Sequence, residues 1–514
     1  MIIVYHQNNR IVKVEAKTKD VFSEKKSIAE GLIEIAKKFP NDLIIWSHIS
    51  LEPYLNIEKI NEIFHQDKVM ASYNLAPNSF ISDSIGYVDS SPFLKINKKA
   101  SYPTWMMSSN VGGINASILL LLKNQIKTDE NFDYFLNSIA KLGMSLGLLC
   151  YSDPKLLKDC TEIFPKHKED KYLLFKFVKQ HYKTRWVFLL FLDLFLYKRT
   201  WAICPFLMCF FQKNRHLNED TFHQIETKSK NIVIEEGTID VIIPTIGRKK
   251  YLYDTLKDLS VQTFLPLNIV IVEQNPVQDS ITELDYILNE NWSFQIKHIF
   301  THQTGACNAR NLALKEVKSE WVFMADDDIR IEPDFLEKTF HVIEKEGFQQ
   351  ITLGCYQPDY PSHKKINQKI QWGSFGSGCS IVKVKNIKTL SYNMSFEFGY
   401  GEDGDFGTQL RNLGHDILYS PQPEILHLKA PIGGFRTKHI QAWADEKVQP
   451  KPSPTVMLYK VLHLTQEQID GYCTILFFKY YRVQKIKNPI RYYSSYKKQW
   501  KKSQFWANKL NTKK

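Results

Sequence analysis

An apolar run that ends in three consecutive carboxylates, Trp321-Val322-Phe323-Met324-Ala325-Asp326-Asp327-Asp328, constrains this chain more than any other stretch. Ile329-Arg330-Ile331-Glu332-Pro333 follows, so the run reads as a buried strand that stops at a sheet edge. Three neighbouring acids repel one another and are costly at the end of a buried strand. A hard divalent cation, Mg or Mn, would offset that cost, because carboxylate oxygens suit both. Asp326 and Asp328 lie two apart and point to the same side of an extended chain, leaving Asp327 facing away. A solvated acidic turn is the alternative reading of these residues taken alone.

Three further units precede this strand. Ile239 to Ile243 form an apolar strand that ends in Pro244-Thr245, and Tyr251, Leu252, Thr255, Leu256 and Leu259 follow at helical spacing. Leu267 to Val272 form a second strand ending in Glu273, and Ile296 to Phe300 a third. After the third comes the loop to Gly305 and a helix from about Ala306 to Val317. Strand, helix, strand, strand, helix, strand is the order of an α/β domain with a mainly parallel sheet, which binds ligands beyond the carboxyl ends of its strands. Pro244, Thr245, Glu273 and the Asp triple all fall at such ends, so they are expected to converge.

Four signatures in this order carry a family resemblance: Pro244-Thr245; Gly305-Ala306-Cys307-Asn308-Ala309-Arg310-Asn311; the Asp triple; and Gly401-Glu402-Asp403-Gly404-Asp405-Phe406. Residues 239–428 resemble a family 2 glycosyltransferase of the GT-A fold, under half of the chain. The resemblance implies an inverting transfer from a nucleotide sugar, with UDP first among nucleotides. It implies a donor site drawn from Pro244, Thr245, Arg248, Glu273, Arg310, Asp326, Asp327 and Gly378, and a cation, Mn or Mg, on Asp326 and Asp328. His427 would be a further ligand; a satisfied core histidine is the alternative. Asp403 is the implied general base, because the attacking hydroxyl must lose a proton. Glu402 would orient the acceptor. Acids that merely cap a helix are the competing reading of both. Trp372 would stack on a sugar or fill the core.

Cysteine usage points to a reduced compartment. The eight cysteines form no CxxC pair, and residues 1–10 lack a basic leader followed by a long apolar run, so a cytoplasmic protein is expected. Residues 1–160 read as a second α/β domain, a degenerate GT-A-like relative without the DxD. Asp42 to His48 form a strand lacking terminal acids, while Phe135, Leu142-Gly143 and Tyr151-Ser152 echo Phe406, Leu413-Gly414 and Tyr419-Ser420. Residues 161–230 read as an apolar, aromatic helical linker, either buried or lying in a membrane interface; 231–470 as the catalytic domain; and 471–514 as a basic tail. The tail holds twelve Lys and Arg and no acid from Lys479 onward, equal to the chain's formal net charge of +12. Tyr492, Tyr496 and Trp500 form a stripe at helical spacing. That pattern suits an anionic membrane surface on the inner face of the cytoplasmic membrane, with nucleic acid a weaker match.

The resemblance implies transfer of a sugar to a hydroxyl of a glycan, free or polyprenyl-linked, in bacterial surface polysaccharide assembly. Transfer to a polyprenyl phosphate is the nearest alternative enzyme, and a glycan-binding scaffold the nearest non-enzyme.

Overall fold

The computed structural model describes residues 1–16, 27–128, 131–160, 162–431 and 439–512. Its contacts divide the chain into two units, residues 1–231 with 464–484, and residues 232–463 with 485–514. This division departs from the linear one expected from composition. Helices Lys171–His181, Arg185–Lys198 and Ile203–Met208 belong to the first unit, and Phe175, Phe177, Val178, Val187 and Leu190 enter its core. The terminal segment also divides. Helix Gln466–Val483 belongs to the first unit and helix Pro489–Asn511 to the second.

In the first unit the strands are β1 (Ile2–Gln7), β2 (Arg10–Glu15), β3 (Leu43–His48), β4 (Val69–Tyr73), β5 (Tyr102–Pro103), β6 (Val111–Asn115) and β7 (Leu149–Ser152). They form one sheet in the order β2-β1-β3-β6-β4-β7-β5.

The second unit contains β8 (Ile239–Thr245), β9 (Asn268–Gln274), β10 (Gln295–Thr301), β11 (Trp321–Ala325), β12 (Ile329–Arg330), β13 (Gln350–Tyr356), β14 (Ile370–Gln371), β15 (Cys379–Lys383) and β16 (Leu418–His427). Their order is β10-β9-β8-β11-β15-β13-β16-β12, with β14 beside β16. β8 to β11 run parallel to one another, and β15 is antiparallel to β11 and β13. Ile242, Ile243, Ile271, Val322 and Phe323 are fully buried, as expected for parallel strands covered on both faces. This is the expected α/β architecture.

The two sheets share a pattern that the echoes above only hinted at. β1, β3, β4, β5, β6 and β7 pair in the order and directions of β8, β11, β13, β14, β15 and β16. Loop bonds repeat as well: Thr104 N donates to Cys150 O where Trp372 N donates to Ile417 O, and Ala116 N to Asp42 O where Val384 N donates to Glu320 O. The first unit has no counterparts of β9 and β10 among its described residues; antiparallel β2 flanks β1 instead. Strand register places His48 where the second unit has Asp326.

Helix Pro489–Asn511 corrects the expectation for the tail. Tyr492, Tyr496 and Trp500 are all buried, and the helix packs on helix Pro454–His463 of the same unit. The aromatic stripe is core, and the lysines meet solvent together with Ile490, Tyr493 and Phe505.

Candidate active site

Strand ends place the acids. β8 and β9 run in register to Thr245 opposite Glu273, and β11 stops at Ala325. The chain turns through Asp326 to Asp328 and re-enters the sheet as β12, where Ile329 pairs with His427. That antiparallel pair carries His427 to the acids from about a hundred residues away in sequence. His427 Nε2 then lies 3.2 Å from Asp328 Oδ1.

Each of the three aspartates has its own surroundings. Asp327 is buried and accepts from Thr245 Oγ1 at 2.6 Å and from Arg248. Burial lifts its carboxyl to about 6, against the pull of Arg248. Asp328 is also buried, but its Oδ2 accepts from Ala430 N at 2.8 Å. Burial raises that carboxyl as well; His427, the Ala430 N–H and Arg248 outweigh it and hold the group at about 2. Asp326 is the most accessible, with Arg310 Nη2 3.1 Å from its Oδ1.

Asp326, Asp328 and His427 offer ligand atoms that all lie within 4.8 Å of one another. Asp328 Oδ1 is buried without a well-formed hydrogen bond, which is the kind of orphaned acceptor a cation satisfies. Two carboxylates and an imidazole make a donor set compatible with Mn or Mg. Gly378 leaves room for this arrangement, since a Cβ there would come within 2.2 Å of Asp326 Oδ2.

Across from the triad stands the second acidic group. Gly401, at φ +118°, turns the chain into helix Glu402–Asn412, so Glu402 and Asp403 occupy its first turn. Ser377 donates to Asp403 Oδ1 through both its hydroxyl and its N–H, and Tyr392 OH donates to Ser377 Oγ at 2.8 Å. Burial, then the charge of Asp403, lifts Glu402 to about 7; burial likewise raises Asp403, with Arg310 opposing. Arg310 is itself buried, its guanidinium 5.6 Å from the Tyr392 ring, and its charge acts on Asp326, Asp403 and Glu402 alike. One arginine therefore joins the two acidic groups.

The remaining expected residues divide. Glu273 is engaged within the protein by Thr282 Oγ1, Glu283 N at 3.1 Å and His298 Nε2 at 2.9 Å. Trp372 packs on Tyr419 at 4.8 Å between ring centroids. Asp405 is held by His463 at 2.7 Å and by Gln409, a helix-anchoring role. Ser377, Tyr392, Arg411 and Glu397 were not singled out from sequence. Arg411, fully buried, donates to the carbonyls of Trp372, Gly373 and Ser374 and so fixes the loop leading to Gly378. Glu397 accepts from Cys307 N at 3.0 Å and Asn308 N at 2.8 Å, capping the Arg310 helix from 90 residues away. Local spacing reveals none of these long-range partners.

Residues 240–398 match the family described as Glycosyl transferase family 2. That segment, within a mixed α/β unit, thus resembles family 2 glycosyltransferases, as the ordered motifs implied. Among relatives, an uncharacterized glycosyltransferase of Rickettsia conorii is 26% identical over 137 residues, 27% of this chain and 21% of the relative. Another from Haemophilus influenzae is 27% identical over 108 residues, 21% of this chain and 35% of that protein. Glycosyltransferase GlyG of Streptococcus pneumoniae is 20% identical over 118 residues, 23% of this chain and 38% of GlyG. The matched segment therefore spans only about a fifth to two fifths of these relatives. The crystal structure of S. aureus TarS 1–349 in complex with UDP-GlcNAc aligns at a TM-score of 0.34 and 16% identity, covering 46% of this chain and 70% of that one.

Proposed function

We propose that the second unit is a metal-dependent, inverting glycosyltransferase that passes a sugar from a nucleotide donor, UDP-linked first, to a hydroxyl of a glycan or lipid-linked glycan. The setting proposed is bacterial surface polysaccharide assembly. One observation carries the reading: Asp326, Asp328 and His427 form a cation-ready cluster, and Arg310 connects it to Glu402 and Asp403. A cation bound there would offset the charge that builds on a departing nucleoside diphosphate.

The chain's own residues account for the rest. Asp403, oriented by Ser377, takes the proton of the attacking hydroxyl; Glu402 beside it accepts a hydrogen bond from the acceptor. Arg310 presents charge toward the diphosphate in a geometry that suits phosphate oxygens. Arg248, Thr245 and Asp327 brace the donor end of the sheet, Glu273 marks the strand end where the nucleobase edge would lie while itself held by Thr282, Glu283 and His298, and Gly378 lets the donor sugar approach Asp326. One base and no enzyme nucleophile correspond to direct displacement. Two buried carboxylates would repel a phosphate dianion, which favours a hydroxyl acceptor over a polyprenyl phosphate.

For the first unit we propose a shortened relative of the second that lacks the donor half and serves packing or acceptor binding. Support comes from the shared strand pattern and from Asp133. Ser109 N and Oγ donate to Asp133 at 2.7 and 2.9 Å, in the relation that Ser377 has to Asp403. Both serines sit two residues before a corresponding strand, and both aspartates are the second residue of a helix.

UDP release from a panel of UDP-sugars with Mn tests the transferase reading. Release should need the metal and be largely lost in Asp328→Ala and Asp403→Asn. Release at the parent rate in both variants would overturn it.

A further inference from the structure

No described helix is long and apolar enough to cross a membrane. The first unit nevertheless exposes an apolar face. Helix Arg185–Lys198 turns Val187, Leu190 and Leu194 into the core and leaves Phe188 outside. The following segment leaves Trp201, Ile203, Leu207, Met208 and Phe211 in solvent, Trp201 at 65% and Phe211 at 87% exposure. Ring contacts form two groups within it: Phe188 with Phe206 and Phe210, and Phe195 with Trp201. Large apolar side chains exposed this densely along one segment mark an interaction site.

Charge identifies the partner. Residues 171–215 contain nine Lys and Arg and a single acid, Asp193. Asp193 is fully buried, accepting from Thr474 Oγ1 at 2.5 Å, so no carboxylate of this stretch faces outward. Lys183 and Arg185 stand at the start of the exposed face, Lys198 and Arg199 at the turn between its two helices, and Lys213 just beyond Phe211. Lys198 pairs with Glu467 at 3.5 Å, but large apolar and aromatic side chains bordered by Lys183, Arg199 and Lys213 match the headgroup layer of an anionic bilayer.

We propose that the face formed by Phe188, Trp201, Ile203, Leu207, Met208 and Phe211 docks the protein on an anionic lipid surface. Rings and aliphatic side chains enter the interface, and Lys183, Arg199 and Lys213 meet the phosphates. In the tail the stripe of Tyr492, Tyr496 and Trp500 is buried, and Tyr493 and Phe505 are the aromatics of that helix left exposed. This inference is independent of the transferase reading, since neither nucleotide nor glycan enters its test.

The test is co-sedimentation of the full chain with vesicles of phosphatidylglycerol and phosphatidylcholine, or of phosphatidylcholine alone. The chain should sediment with the mixed vesicles in a salt-sensitive manner and stay in solution with the neutral ones. Combined Trp201→Ser, Leu207→Ser and Phe211→Ser should lower the bound fraction about fivefold or more, with the melting temperature unchanged because all three are exposed. Arg199→Glu with Lys213→Glu should weaken binding to the anionic vesicles specifically. Lys497→Glu with Lys501→Glu should have the smaller effect. Unchanged sedimentation of the serine variant, loss of binding by the tail variant alone, or equal binding to neutral vesicles would each overturn the proposal. So would a dimer that the serine substitutions dissociate in the absence of any vesicle binding.

Discussion

Glu402 and Asp403 are adjacent acids at the start of one helix, and their surroundings set opposite demands on activity and stability. Glu402 must be unprotonated to accept a hydrogen bond from the acceptor, so turnover should rise with pH through about 7, the value to which burial and Asp403 lift it. Stability should run the other way. A carboxyl raised from 4.5 to about 7 favours the folded state most below its ordinary value, and that contribution disappears as pH rises through 7. Paired pH profiles of rate and melting temperature check both trends, and Glu402→Gln should flatten the second. Asp403→Asn should reduce turnover by about 10² to 10⁴-fold while leaving nucleotide affinity near that of the parent. A comparable loss of affinity in a binding titration would reassign Asp403 to the donor site. Asp133→Asn, at the corresponding place in the first unit, should leave turnover unchanged.

At the level of elements, the sheet of the second unit was legible where its strands are continuous apolar runs. β8, β9 and β11 are buried on both faces, so composition alone marks them. β12 and β14 have two residues each and exist only because β16 lies beside them. Such short pieces carry no periodicity. The acids and Arg310 could be found from motif order, whereas Ser377, Tyr392, Glu397 and Ala430 reach the site through pairings between distant segments. The tail shows a different limit. Its helix and its aromatic stripe were both legible, but a stripe at helical spacing fits a core as well as a lipid surface, and only packing distinguishes them. Trp500→Ala should therefore destabilise the second unit by about 3–5 kcal/mol in denaturant unfolding and leave vesicle binding intact. Gly401→Ala, at φ +118°, should cost roughly 1–2 kcal/mol and disturb the first turn that carries Glu402 and Asp403.

For the whole molecule, the two units share a strand plan but not a chemistry. The second has β9, β10 and the Asp triple; the first has β2 and His48 in the corresponding places. The proposed cation and donor site therefore falls in one unit, and the proposed lipid-docking face in the other. Calorimetric titration with UDP, with and without Mn, tests this account most directly when run beside Asp328→Ala. The account predicts micromolar binding that requires the metal and is lost in the variant. Equal binding with or without Mn, or in Asp328→Ala, would contradict it, as would failure of UDP and other nucleoside diphosphates to bind with Mn present.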